Sequence, residues 1–141
     1  MKISKRGRYG IRLLIDLAEN RHSDHVTLTS AATRQSISAR YLEQVAIILR
    51  RAGFIRSIKG ASGGYTLAKS VEEIVIGDVL RVLEGDMLIA DPPPDGSSKF
   101  QRCIWRTVYE PLNRRIAEII DSETLASLIG TVEADSCMYF I

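Results

Sequence analysis

Few residues in this 141-residue chain have the types and spacing that chemistry needs. Two cysteines, Cys103 and Cys137, are too few for a disulfide framework. His22 and His25 flank Asp24, but no third ligand clusters with them, so no metal is expected there. The chain carries no zinc-protease, serine-hydrolase, P-loop or dinucleotide signature, and no enzymatic role is expected. The donors that do form a pattern are of another kind. Arg40 and Gln44 stand one helical turn apart in "SARYLEQ". Lys59 borders the glycine-rich run "KGASGGYTL", with Arg56 three residues before it. Arg and Gln are the side chains that pair with guanine and adenine edges, while an isolated Lys answers a phosphate. Glu43 either accepts from a cytosine amine or repels phosphate and so discriminates. Tyr41 either gives its hydroxyl to a phosphate or packs. Cys103, between Arg102 and Arg106, is either a small apolar residue or a redox-reactive thiol.

The elements that must position these groups read mainly as helices with one small β-hairpin. Ile11, Leu14, Ile15 and Ala18 repeat at helical spacing behind a Ser4 cap. Ser4, Lys5, Arg6 and Arg8 at that helix start can reach phosphate through charge and backbone N–H groups. A short alanine-rich helix follows, with Thr29 as its expected cap. Ser36 stands where a turn commonly has glycine. Ser38 then caps a longer helix whose stripe is Leu42, Val45, Ala46 and Leu49, closed by Gly53 with Arg50 and Arg51 in the last turn. Short helix, break and longer helix make a helix-turn-helix pattern.

"FIRSI" and "YTLA" around the glycines read as a hairpin, the wing of a winged helix-turn-helix. Gly63 and Gly64 are expected to supply positive φ and a close backbone approach. Gly60 and Lys59 complete a tip suited to a narrow, phosphate-lined groove. Ser70 and Glu73 suggest a capping box before the stripe Ile76, Val79, Leu80 and Leu83, which stops at Gly85.

Residues 86–98 form a loop with three consecutive prolines and few anchors, expected to be mobile. Ile104, Val108, Leu112, Ile116, Ile119 and Ile120 then run along one long helix, with Pro111 expected to kink it or mark its real start. "SETLASLIG" reads as a short helix, and the tail after it has no assignment. The expected organisation is a DNA-binding domain over 1–85, a flexible loop over 86–98, and a dimerisation helix with tail over 99–141. The long helix has little of its own domain to pack on. A second copy is expected to cover it, the alternative being packing onto the chain's own first helix.

Charge divides the chain. Residues 1–65 hold 12 Lys and Arg against 4 Asp and Glu, a net of +8, and residues 66–141 hold 7 against 13, a net of −6. A basic front half points to a polyanion. The competing expectation is an interaction module whose acidic half docks a protein. The start "MKISKRGRYG" has no secretory pattern and no apolar run reaches membrane length, so the expected address is the cytoplasm, with no membrane partner.

"MKISKRGRYGIRLLIDLA", "SARYLEQ", "LRRAGFIRSIKGASGGYTLAKSVEEIVIGDVLRVLEG" and "DSETLASL" together resemble the IscR–NsrR–CymR family of bacterial winged helix-turn-helix transcription regulators. The resemblance runs from Met1 to about Leu128. It implies a homodimer with crossing long helices that binds double-stranded DNA at an imperfect palindrome. It implies further that Arg40, Tyr41 and Gln44 lie near the major groove, and Lys59 with the glycine tip near the minor groove. Iron–sulfur members carry three loop cysteines, the third six residues before a bulky aromatic. Cys103 and Tyr109 match that third position, while "ADPPPDGSS" has no cysteine where the other two would stand near 91 and 97. A cluster needs four ligands, so no cofactor is expected unless the ligands are unusual. The resemblance is nearer the cluster-free, cysteine-metabolism branch. It implies a repressor of sulfur, iron–sulfur or redox genes, with a cysteine-synthesis enzyme as a candidate corepressor.

Overall fold

Ser4 opens the first helix. In this computed structural model, which describes residues 2–139 with side chains through 135, its Oγ accepts from the Gly7 N–H at 3.4 Å. The helix that follows is α1 (Lys5–Glu19). Leu14 and Ala18 of the expected stripe are fully buried, and so are Leu13 and Leu17, while Ile11 and Ile15 sit at the margin. The buried arc is wider than the pattern suggests because α1 is central. It touches α2 (Leu28–Gln35), α3 (Ala39–Arg51), α4 (Ile76–Glu84) and α7 (Leu125–Tyr139). A Cβ on Gly7 would overlap the Glu84 carboxylate, and one on Gly10 would overlap Leu83. Those two glycines let α4 lie close against α1.

The cap of α2 is Thr27, not Thr29: Thr27 Oγ1 accepts from the Ser30 N–H at 3.2 Å. Val26, just before it, exchanges two backbone hydrogen bonds of 2.8 Å with Tyr65. That pairing keeps the chain extended up to Thr27, so the helix begins there. The helix-turn-helix break is carried by Ser36, left-handed at φ 54°, in a region that costs a non-glycine residue roughly 1–2 kcal/mol. Ser38 caps α3 through the Tyr41 N–H at 3.4 Å. Leu42, Val45, Ala46 and Leu49 are all buried, and Gly53 ends the element at φ 85°.

The wing is the antiparallel pair β1 (Ile55–Ile58) and β2 (Gly64–Leu67), in the register Ile55↔Leu67, Arg56↔Thr66, Ser57↔Tyr65 and Ile58↔Gly64. Positive φ falls on Gly60, at 127°, and not on Gly63 or Gly64. Those two glycines serve the chain's own packing. A Cβ on Gly63 would overlap the Ile58 carbonyl, and one on Gly64 the Val26 carbonyl.

No capping box forms at Ser70. Its carbonyl accepts from the Glu73 N–H at 3.0 Å in a simple turn. The chain then stays extended because the Ile74 carbonyl accepts from the Leu125 N–H at 2.8 Å and the Ile76 N–H donates to the Glu123 carbonyl at 2.9 Å. α4 starts after Val75 with no side-chain cap. Ile76, Val79, Leu80 and Leu83 are buried on it, and it stops at Gly85, φ 86°.

The long segment is α5 (Lys99–Ile104), a π-helical turn (Trp105–Tyr109) and α6 (Glu110–Ser122). Pro111 lies in the first turn of α6, yet the chain before it is already helical. Proline has no N–H to give the carbonyl one turn back, and its ring crowds that carbonyl; the widened turn accommodates both. α7 is longer than expected, absorbing most of the tail, and buries Leu125 and Ile129 in the main core. A second, smaller cluster joins Ile76, Leu80 and Met87 to Ile116 and Ile120 of α6. The loop between α4 and α5 has anchors that its sequence does not announce. Asn113, 9% exposed, accepts from the Ile89 N–H at 2.6 Å and donates to the Ala90 carbonyl at 3.0 Å. Ser97 Oγ donates to the Pro94 carbonyl at 2.6 Å, and the Arg102 guanidinium donates to the Ser97 carbonyl.

Candidate nucleic-acid interface

Burial of the stripe on α3 turns its opposite side outward. Ser38, Arg40, Glu43 and Gln44 are exposed there, in the first two turns, where a helix entering a groove makes its contacts. Tyr41 is half-buried and meets the Tyr9 ring edge-on, centroids 5.5 Å apart at 83°. The start of α1 adjoins this face: Ser4 and Arg6 line one cleft of about 290 Å³ with Tyr41 and Gln44.

Several groups expected to be free for phosphate are already engaged. Ser4 N–H, Ser4 Oγ–H and Gly7 N–H all donate to Glu84 Oε1, at 3.0, 2.6 and 3.0 Å. Glu84 therefore occupies the positive end of α1 that an anion would otherwise approach. Arg6 Nε donates to the Leu83 carbonyl at 2.7 Å, capping α4. Lys5 and Arg8 remain exposed, with Arg8 lying 5.9 Å from the Tyr9 ring centre.

On the other flank, the wing and the start of α2 enclose a shallow groove of about 530 Å³ lined by Thr27, Thr29, Lys59, Gly60, Gly63 and Gly64, among others. Lys59 and Arg56 are exposed. The His25 ring contacts the Ser62 carbonyl and so ties the α1–α2 link to the wing tip.

Behind this face lies a polar network that the sequence reading missed. Asp16, on the buried side of α1, receives Arg34 Nε and Nη2 at 2.8 Å each and Gln35 Nε2 at 3.3 Å. The hydrogen bonds to Asp16 raise the Arg34 pKa above its usual value. Arg12 bonds to Gln35 Oε1 at 3.3 Å and to the Gln35 carbonyl, closing the last turn of α2. A carboxylate spaced among Leu13 and Leu17 was the available signal, since a charge on an apolar stripe needs a partner. A second pair joins α4 to α6: Arg81 holds Asp121 at 2.7 and 2.9 Å, which lowers the Asp121 pKa and raises that of Arg81.

The donor set near Cys103 does not fit an iron–sulfur cluster. Residues 91–98 contain no thiol or imidazole. Cys103 is exposed, its Sγ lies 3.9 Å from Thr107 Oγ1, and its cleft is lined by the cations Lys99, Arg102 and Arg106. Among the described residues, no group of three or more His, Cys, Asp or Glu side chains could hold a metal ion. Nor is any helix among them long and apolar enough to cross a membrane. Cys137 has no described side chain.

Comparison with known proteins agrees with this arrangement. A family model described as Rrf2, iron-dependent transcriptional regulator, matches residues 3–131. The HTH-type transcriptional regulator CymR of Bacillus subtilis (strain 168) is 36% identical, with the alignment covering 100% of both chains. The solved structure of T. potens IscR superposes with a TM-score of 0.78 at 37% identity, covering 96% of this chain and 90% of that one. The structure of B. subtilis CymR, the global cysteine regulator, gives 0.78 at 35%, covering 93% and 98%. These relatives are transcription regulators rather than enzymes. With its mainly helical fold, its two-stranded wing and the exposed donors of α3, this chain belongs to the Rrf2 family of winged helix-turn-helix transcriptional regulators.

Proposed function

We propose that this chain acts as a homodimeric repressor that reads an imperfect palindromic operator and controls genes of cysteine and sulfur supply. One observation carries the proposal. The basic half exposes Arg40 and Gln44 on α3 and Lys59 on the wing, while the α5–α6 segment leaves Val108, Leu112 and Ile119 between 45% and 55% exposed. A row of exposed aliphatics of this kind marks an interaction surface, and a dimer sets the spacing between two half-sites. In this proposal residues 1–85 bind DNA and residues 99–141 dimerise. Arg40 and Gln44 read base edges, Glu43 discriminates, and Ser38 and Tyr41 support them. Lys5, Arg8, Arg56 and Lys59 meet phosphate, Gly60, Gly63 and Gly64 shape the tip, and Ser4 and Arg6 hold α1 in place.

The regulator works without a cluster, in the cytoplasm, with a cysteine-synthesis enzyme as candidate corepressor. The support is the likeness to CymR and the lack, among the described residues, of a ligand set near Cys103. Cys103, exposed in a cleft of three cations, is the candidate redox thiol. The test is selection from random-sequence duplexes by protein purified without oxygen. The expected result is a colourless dimer that enriches a two-fold related pair of half-sites. A visible absorption band, or no enrichment, would overturn it, and failure to bind any duplex at low salt would favour the interaction module.

A further inference from the structure

A cleft of about 420 Å³ lies where the loop after α4 folds back over α5 and the π turn. The prolines at 92–94 form one wall, and Ile104, Trp105 and Tyr109 form the other. Its one charged side chain is Asp91, and Gln101, Trp105 and Tyr109 carry its other polar groups. The volume falls within the ordinary range of small-molecule pockets, and the lining, mostly apolar with a few polar groups, is of the ordinary kind.

The cleft is built rather than incidental. In an α-helix, residues five apart fall on different sides. The wider spacing of the π turn brings Ile104 and Tyr109 round to one wall with Trp105, and such turns recur at functional sites. The opposite wall is stiffened by three consecutive prolines. It is also fastened at both ends, by Asn113 on Ile89 and Ala90 and by Arg102 on Ser97. A fixed cleft spares a ligand the cost of ordering its walls.

Charge decides what fits. Asp91 makes no hydrogen bond or ion pair with the described residues. Gln101 Oε1 is taken by the Ser98 N–H at 2.8 Å, which leaves its amide as a donor. The faces of Trp and Tyr attract cations. We propose that this cleft binds a small organic cation, an amine or quaternary ammonium on an apolar body, with Asp91 and the two aromatic rings receiving the charge.

The test needs no DNA and stands apart from the operator proposal. Trp105 is the chain's one tryptophan, so its fluorescence reports on the cleft directly. Phenethylammonium is titrated against its neutral counterpart, phenethyl alcohol. A saturable change is expected with the cation in the millimolar range or tighter, and about tenfold weaker binding of the alcohol. Asp91→Asn, on an exposed loop, should lose about tenfold in cation affinity, keep the alcohol affinity and leave the helical circular-dichroism signal unchanged. No saturation by about 10 mM, equal affinity for both probes, or an unaffected Asp91→Asn would each overturn the proposal. Saturation seen only in a monomeric Ile119→Asp variant would overturn it too, and would assign the cleft to a second copy.

Discussion

The Asp16 carboxylate, 1% exposed, receives both Arg34 Nε and Arg34 Nη2 at 2.8 Å. This bidentate pair fastens α1 to the last turn of α2, immediately before Ser36 and the start of α3. The position of the exposed α3 face therefore depends on a charge buried behind it. Removing one partner strands that charge, whereas replacing both by apolar groups need not.

Arg34→Met should accordingly destabilise the fold by about 1–3 kcal/mol, with Gln35 still bonding Asp16. The double change Asp16→Leu with Arg34→Met should recover most of the loss. Urea denaturation of the four proteins in the cycle measures this. A double variant that is simply the sum of the singles would show that the pair is not coupled.

Asp121 provides the pH dependence. Its pKa is lowered by the hydrogen bonds from Arg81, so its stabilising contribution is present above the unfolded carboxylate pKa and fades as pH falls through the lower folded value. Both side chains are more than a third exposed, at 37% and 43%, and the pair is worth less than about 1 kcal/mol. Asp121→Asn should lower the melting temperature slightly at pH 7, and the difference should shrink as pH falls below the ordinary carboxylate range. Thermal scans across that window would expose a gap persisting in acid, which the pairing does not allow.

Lys59→Ala should weaken binding about equally on operator and random duplexes and reduce the salt slope by about one. An unchanged slope in anisotropy titrations at several salt concentrations would remove Lys59 from the phosphate contacts.

Gln44→Ala should relax sequence preference at one base pair by about 1–3 kcal/mol while leaving non-specific affinity nearly intact. Equal losses on every sequence would assign Gln44 to the backbone instead.

Assembly is best probed at Ile119. Ile116 sits on the same stripe but packs, half-buried, with Ile76, Leu80 and Met87 of its own chain, so a charge there would confuse folding with association. Ile119 is 55% exposed. Ile119→Asp should keep its circular-dichroism spectrum and run as a monomer in light scattering, since a carboxylate held in an apolar seam without a partner costs several kcal/mol. An intact dimer would move the seam elsewhere.

Local pattern made much of this legible. Leu42, Val45, Ala46 and Leu49 are a helical stripe in the sequence and a buried one in the fold, because burial of one helix side is what produces that period. Ser38, Gly53 and Gly85 punctuate where their backbone chemistry predicts. The wing was equally visible, as two short apolar runs around glycines. What misled was chemistry that depends on a distant neighbour. Ser70 and Glu73 look like a capping box, but Ile74 is held extended by Leu125, 51 positions further along the chain. Thr29 is as good a cap as Thr27, and only the pairing of Val26 with Tyr65 chooses between them.

The sequence by itself determined the order of elements, the winged helix-turn-helix architecture and which side of α3 meets solvent. Periodicity, caps and turn residues act within a few positions, and their energetics are local. Only the tertiary structure decided why the glycines are there and which charges are free. Gly63 and Gly64 face their own chain's carbonyls, Glu84 fills the end of α1, Arg6 caps α4, and Asn113 fastens the proline loop. Each of these joins residues more than 20 positions apart or depends on how two elements meet, except the Gly63 contact, which closes the wing's own tip. Hydrogen bonds and steric contacts depend on ångström separations that a one-dimensional pattern does not contain.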